Sequence, residues 1–183
     1  MICASEQAII VDNEVYNDVK AEFLAHNAYI VSSKAELAKL QAAVMLPDGH
    51  AVNPKIVGFS AKYIAELAGI KVPEETKLLI AEIAGVGVDF PLSREKLSPV
   101  LAMVKANSTE EGLDLCEAML DLGGLGHTAV IHTEDEDLQI QFGIRMKACR
   151  ILVNTPAAEG GIGNIYNEML PSLTLGCGSY GHN

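Results

Sequence analysis

Six short runs of aliphatic and β-branched residues, at 8–11, 29–31, 78–83, 101–104, 128–132 and 150–153, recur along the chain with helical patterning between them. Runs of this length suit buried strands better than helices. After the first, Val15, Val19 and Phe23 fall on one helical face behind Asp12, a residue able to cap a helix N-terminus. Ser33 and Glu36 have capping-box spacing ahead of Leu37, Leu40 and Val44. Ser108 and Glu111 repeat it ahead of Leu113, Cys116 and Leu120, with Gly123 and Gly124 as a stop and Cys116 on the core stripe. Thr133 and Glu136 carry the same signature before Leu138, Phe142 and Met146, which lead into the last strand. Strands alternating with helices of this length predict an α/β fold: a three-layer α/β/α arrangement with a mostly parallel sheet covered on both faces.

No internal repeat or low-complexity linker divides residues 1–183, so the sequence is read as one domain. Residues 46–58, with two prolines and two glycines, read as a loop insertion. From Asn154 onward the periodicity fades. Gly160, Gly161, Gly163, Gly176, Gly178 and Gly181 crowd the last thirty residues, which predicts close backbone approach there.

Composition narrows the function classes. A hydrophobic fraction of 49% is high, yet no apolar run approaches the roughly 20 residues that cross a bilayer, so no membrane role is expected. The surplus predicts a deep core together with surface for a partner domain or subunit. A net charge of -11 argues against a nucleic-acid surface, which needs clustered Lys and Arg. Cys3, Cys116, Cys149 and Cys177 form no CxxC pair, and no secretory leader is visible, so the expected setting is reducing and cytoplasmic.

Three residues stand out as chemical candidates. Cys3 precedes the first strand among small neighbours, where a loop can leave its sulfur accessible; the competing reading is a terminal or buried cysteine with no task. His127 follows a Gly-rich turn that opens a strand, and it serves either as a proton acceptor or as a structural histidine bonded to that turn. Glu95 is either a ligand-holding carboxylate or a solvated charge beside Lys96. His26, His50, His132 and His182 are read as surface or core residues, and no metal site is expected. The glycines at 160–163 lack a following Lys-Ser/Thr pair, and no GxGxxG unit exists, so a self-contained nucleotide site is rejected.

The run Cys3-Ala4-Ser5-Glu6-Gln7 is similar to the nucleophile segment of the aldehyde dehydrogenase part of bifunctional aldehyde-alcohol dehydrogenases. Glu95-Lys96-Leu97-Ser98-Pro99 resembles that family's EKLSP stretch, and Gly123-Gly124-Leu125-Gly126-His127-Thr128 its GGxGHT turn. Asn154-Thr155-Pro156-Ala157, running on to Gly163, resembles its NTPA and GGIG loop, and Pro171 to Ser179 its PSLTLGCGS signature. The resemblance spans the chain. It implies an aldehyde dehydrogenase catalytic-domain-like fold and coenzyme A-acylating oxidation of an aldehyde, acetaldehyde first, with NAD as cofactor and coenzyme A as co-substrate. Cys3 is then the nucleophile, its backbone N–H an oxyanion donor, His127 the assistant of acyl transfer and Glu95 the holder of the nicotinamide ribose. Gly160 to Gly163 and Gly176 to Ser179 shape the acyl tunnel, with Cys177 structural.

The resemblance also implies a nucleotide-binding half absent from these residues, so the isolated chain is expected to fold at least partly and to turn over little. A homo-oligomer is expected. Two other readings stay open: a non-enzymatic oligomerisation or scaffold module, and a cysteine hydrolase or thioesterase using Cys3 and His127, for which no orienting acid is evident.

Overall fold

In the computed structural model, residues 2–176 are described. The elements run β1 (Ala8–Asp12), α1 (Tyr16–Ala25), β2 (Ala28–Val31), α2 (Lys34–Val44), α3 (Ala61–Leu67), β3 (Leu78–Glu82), β4 (Val100–Ala106), α4 (Thr109–Gly123), β5 (Thr128–Ile131), α5 (Glu136–Arg145), β6 (Arg150–Val153) and α6 (Ala157–Gly160). All six strands fall where the apolar runs predict them. The residues group into two compact units, Gln7–Leu115 and Ile2–Glu6 with Cys116 onward.

In the first unit, four parallel strands lie in the order β1-β4-β3-β2. Successive strand residues face opposite sides. Leu79 and Ala81, with Val31 and Val100, pack on Leu40 and Val44 of α2 and Ile64 and Ala65 of α3. Ile80, Leu101 and Met103 instead pack on Tyr16, Val19 and Phe23 of α1. Helices therefore cover both faces, the three-layer α/β/α arrangement, and the near-continuous apolar strands follow from burial on both sides. Leu79 and Ile80 are both fully buried, and each contributes about 1.5–3 kcal/mol of transfer free energy.

Two helix starts match their capping signatures and two do not. The Ser33 hydroxyl accepts from the Glu36 N–H at 3.2 Å, and the Ser108 hydroxyl from the Glu111 N–H at 3.2 Å. Asp12 does not cap α1: its carboxylate accepts from the Glu14 N–H, an Asx turn, and Val15 occupies the cap position. Residues 46–58 are a loop tied to the core. Met45 and Val52 form an antiparallel bridge, and Ile56, in a 3-10 turn at Pro54–Ile56, is fully buried. Helix α3, capped by Ser60, has seven residues, too few for its periodicity to stand out.

The second unit carries β5 and β6 as a parallel pair, with Thr128 opposite Arg150 and Ile131 opposite Val153. Helix α5 joins them; Phe142 and Met146 are buried, while Ile140 and Ile144 are exposed. Here too the cap differs from expectation: Asp135, not Thr133, accepts from the Leu138 N–H, and Thr133 accepts one turn earlier from the Asp135 N–H. Among the described residues, no helix is long and apolar enough to cross a membrane.

Candidate active site

Cys3 sits in a tight turn. The Ser5 N–H donates to the Ile2 carbonyl at 2.9 Å, and the Ile2 N–H donates to the Ser5 hydroxyl at 3.1 Å. This double closure buries Ala4 and Ser5 and leaves Cys3 exposed. The turn is anchored further on: the Glu6 carboxylate accepts from the Ala157 N–H at 2.6 Å. Ala157 opens α6, which packs on β5.

The glycines at the end of α6 and just after it are there for space. A methyl group on Gly160 would lie 2.5 Å from Thr155 Cγ2, and one on Gly161 would lie 3.3 Å from Ala4 Cβ, beside the cysteine. Gly163 has φ +92° and would meet the Leu170 carbonyl at 2.6 Å. Close backbone approach is thus met at 160–163. Asn154, at φ 52°, fastens the start of this loop, for its side chain accepts from the Thr133 N–H and donates to the Thr133 carbonyl. Gly178, Gly181, Cys177 and His182, with the end of the Pro171 to Ser179 signature, lie outside the described residues.

His127 follows Gly126, whose φ of 77° explains the glycine, and it leads directly into β5. Its backbone is held at both ends: the N–H donates to the Gly124 carbonyl, and the carbonyl accepts from the Cys149 and Arg150 N–H groups. The half-buried ring places Nδ1 3.0 Å from the Thr128 hydroxyl. In the tautomer whose Nδ1–H donates to that oxygen, Nε2 is the ring's acceptor nitrogen.

Cys3 and His127 belong to the same unit, joined through the Glu6–Ala157 bond and the α6–β5 packing. Glu95 belongs to the other. It is exposed, and among the described residues its carboxylate makes no hydrogen bond.

Its neighbour is the residue that sequence reasoning missed. Lys96 is fully buried. Its ammonium donates to the carbonyls of Gln7 at 2.9 Å, Leu92 at 2.9 Å and Arg94 at 2.6 Å, while the Gln7 side-chain oxygen accepts from the Lys96 and Leu97 N–H groups. Burial pushes the Lys96 amine down to about 7, with the Glu95 carboxylate pulling the other way. Gln7 closes the CASEQ run and Lys96 lies within EKLSP, but nothing in the order of residues marks a lysine beside a glutamate as buried.

The other thiols differ in exposure. Burial pushes Cys116, which is half-buried and not in the core, up to about 11, with Arg145 opposing it. Cys149 is exposed, with an Arg150 guanidinium nitrogen 3.6 Å from its sulfur. Two shallow clefts, lined by Glu117, Leu120, Asp121, Arg145 and Lys147 and by the neighbouring Leu122, Gly123 and Leu125, contain neither Cys3 nor His127. Among the described residues, no group of three His, Cys, Asp or Glu side chains is placed to hold a metal ion.

No family model matches the chain. Individual relatives do. It is 49% identical over 189 residues to an aldehyde-alcohol dehydrogenase of Streptococcus pneumoniae serotype 4, covering all of this chain and 21% of that protein. It is 46% identical over 187 residues to the bifunctional aldehyde-alcohol dehydrogenase of Escherichia coli K12, again over all of this chain and 21% of that one. The crystal structure of an acetylating aldehyde dehydrogenase from Geobacillus thermoglucosidasius matches with a TM-score of 0.90 and 44% identity, covering 97% of this chain and 38% of that one. The chain thus spans about a fifth of the length of these two curated relatives. Whole-chain identity near one half, the same fold and the motifs around Cys3, Glu95 and His127 place the chain in the coenzyme A-acylating aldehyde dehydrogenase family, with the aldehyde dehydrogenase part of the bifunctional aldehyde-alcohol dehydrogenases.

Proposed function

We propose that this chain is the thiol-bearing part of an enzyme that interconverts acetaldehyde, coenzyme A and NAD with acetyl-coenzyme A and NADH. The observation that carries this reading is an exposed cysteine on a turn closed by two hydrogen bonds and anchored by Glu6, in the same unit as a histidine whose ring is oriented by Thr128. Cys3 as thiolate adds to the aldehyde carbonyl, giving a thiohemiacetal on its sulfur. Among the described residues the Cys3 N–H donates to no backbone acceptor, which fits it as a donor to the oxyanion.

Bound NAD supplies the hydride acceptor that turns the adduct into a thioester. Glu95 fits the ribose of that cofactor, because an exposed carboxylate on a pinned segment offers two acceptor oxygens to a diol. The coenzyme A thiol then gives its proton to His127 Nε2 and displaces Cys3 from the acyl group. The nucleotide-binding part and a second oxyanion donor come, on this reading, from elsewhere in a longer, cytoplasmic, homo-oligomeric polypeptide. Acetaldehyde is favoured over longer aldehydes by the likeness to aldehyde-alcohol dehydrogenases.

The acyl-transfer half of the reaction needs neither NAD nor its binding part, so it tests the reading directly. Incubated with acetyl-coenzyme A, the chain gains one acetyl group on the Cys3 peptide by mass spectrometry, and Cys3→Ala abolishes it. Absence of acetylation at Cys3, or equal acetylation at Cys149, overturns the assignment. A non-enzymatic interaction module is the second reading, favoured by the nearly full exposure of Leu170 and Leu173. That reading gains if Cys3 stays unmodified.

A further inference from the structure

Residues 94–98 combine features that a simple connecting loop does not need. Lys96 is fully buried, although lysine is among the residues least often enclosed. Its three ammonium donors meet three carbonyls, from Gln7, Leu92 and Arg94, so the charged form is fully satisfied by backbone. Leu97 is held at φ 47°, the left-handed region that a branched, bulky residue seldom enters. Arg94 Nε and Ser98 Oγ are buried with no hydrogen-bond partner among the described residues. Strain and orphaned polar atoms of this kind persist only where surrounding structure over-determines them, and they gather at ligand clamps.

The geometry of the clamp fixes one outcome. With Lys96 drawn inward onto three carbonyls and Leu97 held left-handed, Glu95, just ahead of them, is turned to solvent. Gln7 closes the ring from β1's approach, accepting from both Lys96 and Leu97 N–H groups at 2.8 and 3.3 Å. An ammonium enclosed in this way loses its hydration, and the three carbonyls replace the water that it gives up.

We propose that Lys96 is a positioning residue for cofactor binding: its contacts to Gln7, Leu92 and Arg94 hold Glu95 in the orientation that receives the nicotinamide ribose. This rests on Glu95 being the carboxylate that holds that ribose. Lys96 touches neither substrate nor cofactor and acts through its neighbour.

The test is a double-mutant cycle in the longer polypeptide that the proposed function calls for, reading KM for NAD and, separately, acetyl transfer from acetyl-coenzyme A to Cys3. Glu95→Ala raises KM for NAD, and Lys96→Met raises it by about ten-fold, the size commonly carried by residues that orient a binding group. On the Glu95→Ala background, Lys96→Met adds nothing further, because its effect passes through Glu95. Acetyl transfer to Cys3 keeps its rate in Lys96→Met, which a general loosening of the fold would not allow. Should Lys96→Met prove insoluble, Gln7→Leu removes the side-chain acceptor shared by the Lys96 and Leu97 N–H groups while leaving the ammonium on its three carbonyls, and it raises KM for NAD in the same way. If Glu95→Ala leaves KM unchanged, the ribose reading itself fails. If Glu95→Ala raises KM but the Lys96 effect is absent, or fully additive to it, Lys96 positioning is overturned while the ribose reading stands.

Discussion

The Glu6 carboxylate accepts a 2.6 Å hydrogen bond from the backbone N–H of Ala157, joining residues 151 positions apart in the chain. Glu6 lies three residues after Cys3, and Ala157 opens the short helix packed on β5, so this bond sets where the cysteine turn can rest. Hydrogen bonds to a charged partner contribute about 1.5–3 kcal/mol, so Glu6→Ala is expected to lower stability by that order in urea unfolding. Glu6→Gln keeps an acceptor oxygen and should cost less. Acetyl transfer to Cys3 should slow more in the alanine variant than in the glutamine one; equal rates would show that the anchor does not guide the turn.

Two glycines of the second unit make a paired test of backbone space. Gly163 combines φ +92° with a crowded Cα: a methyl group added there would lie 2.6 Å from the Leu170 carbonyl oxygen and 2.8 Å from that of Met169. Gly163→Ala must therefore strain or move the loop, at a cost of roughly 1–3 kcal/mol. Gly143, inside α5, has nothing within 4 Å of the same position. Gly143→Ala is expected to stabilise by about 0.5–1 kcal/mol through helix propensity. Thermal unfolding should move in opposite directions for the two variants.

How much of this was legible follows from where the information resides. Strand positions were readable because burial on both faces leaves unbroken apolar runs such as those around Leu79 and Met103. Capping at Ser33 and Ser108 was readable because donor and acceptor are three residues apart. The caps near Asp12 and Thr133 were misplaced because Asp12 and Thr133 turn their oxygens to nearer N–H groups, and sequence cannot rank competing local acceptors. Cys3, Glu95 and His127 stood out through motifs. Lys96, Gln7 and the Glu6–Ala157 tie did not, because their partners are 89 and 151 residues apart, and only the fold brings them together.

The cysteines should separate by burial in a labelling experiment. Cys116 is pushed up to about 11, so near neutral pH almost none of it is thiolate. Its alkylation by iodoacetamide is expected to be slow and to climb about ten-fold per pH unit until that value is reached, since only the thiolate reacts. Cys3 and Cys149 are both exposed, so exposure alone does not place Cys3 ahead of Cys149. The discriminating readout is protection: acetyl-coenzyme A should shield Cys3 and leave Cys149 labelling unchanged, as peptide mass spectrometry can show. Shielding of both, or of neither, would contradict the role given to Cys3.

In the first unit, the Glu82 carboxylate couples stability to pH. The Tyr16 hydroxyl donates to Glu82 at 2.6 Å, and Lys20 bridges both carboxylate oxygens at 3.0 and 2.9 Å. Burial alone would raise the Glu82 carboxyl, but the Tyr16 hydroxyl and the Lys20 ammonium outweigh it, and the net direction is below the ordinary 4.5. A carboxyl held lower in the folded state contributes stability that is complete above 4.5 and disappears as pH falls through the depressed value, because the unfolded chain takes up the proton first. Tyr16→Phe removes one of the lowering contacts. It should therefore cost about 1.5–3 kcal/mol near neutral pH, the range for a hydrogen bond to a charged group, and distinctly less once Glu82 is protonated. Urea unfolding of both proteins at about pH 7 and at an acid pH below the depressed value reads this difference directly, since the ionised carboxylate is lost only there. An identical loss at the two pH values would mean that Tyr16 stabilises through packing of its ring, and not through the charged acceptor at the end of β3.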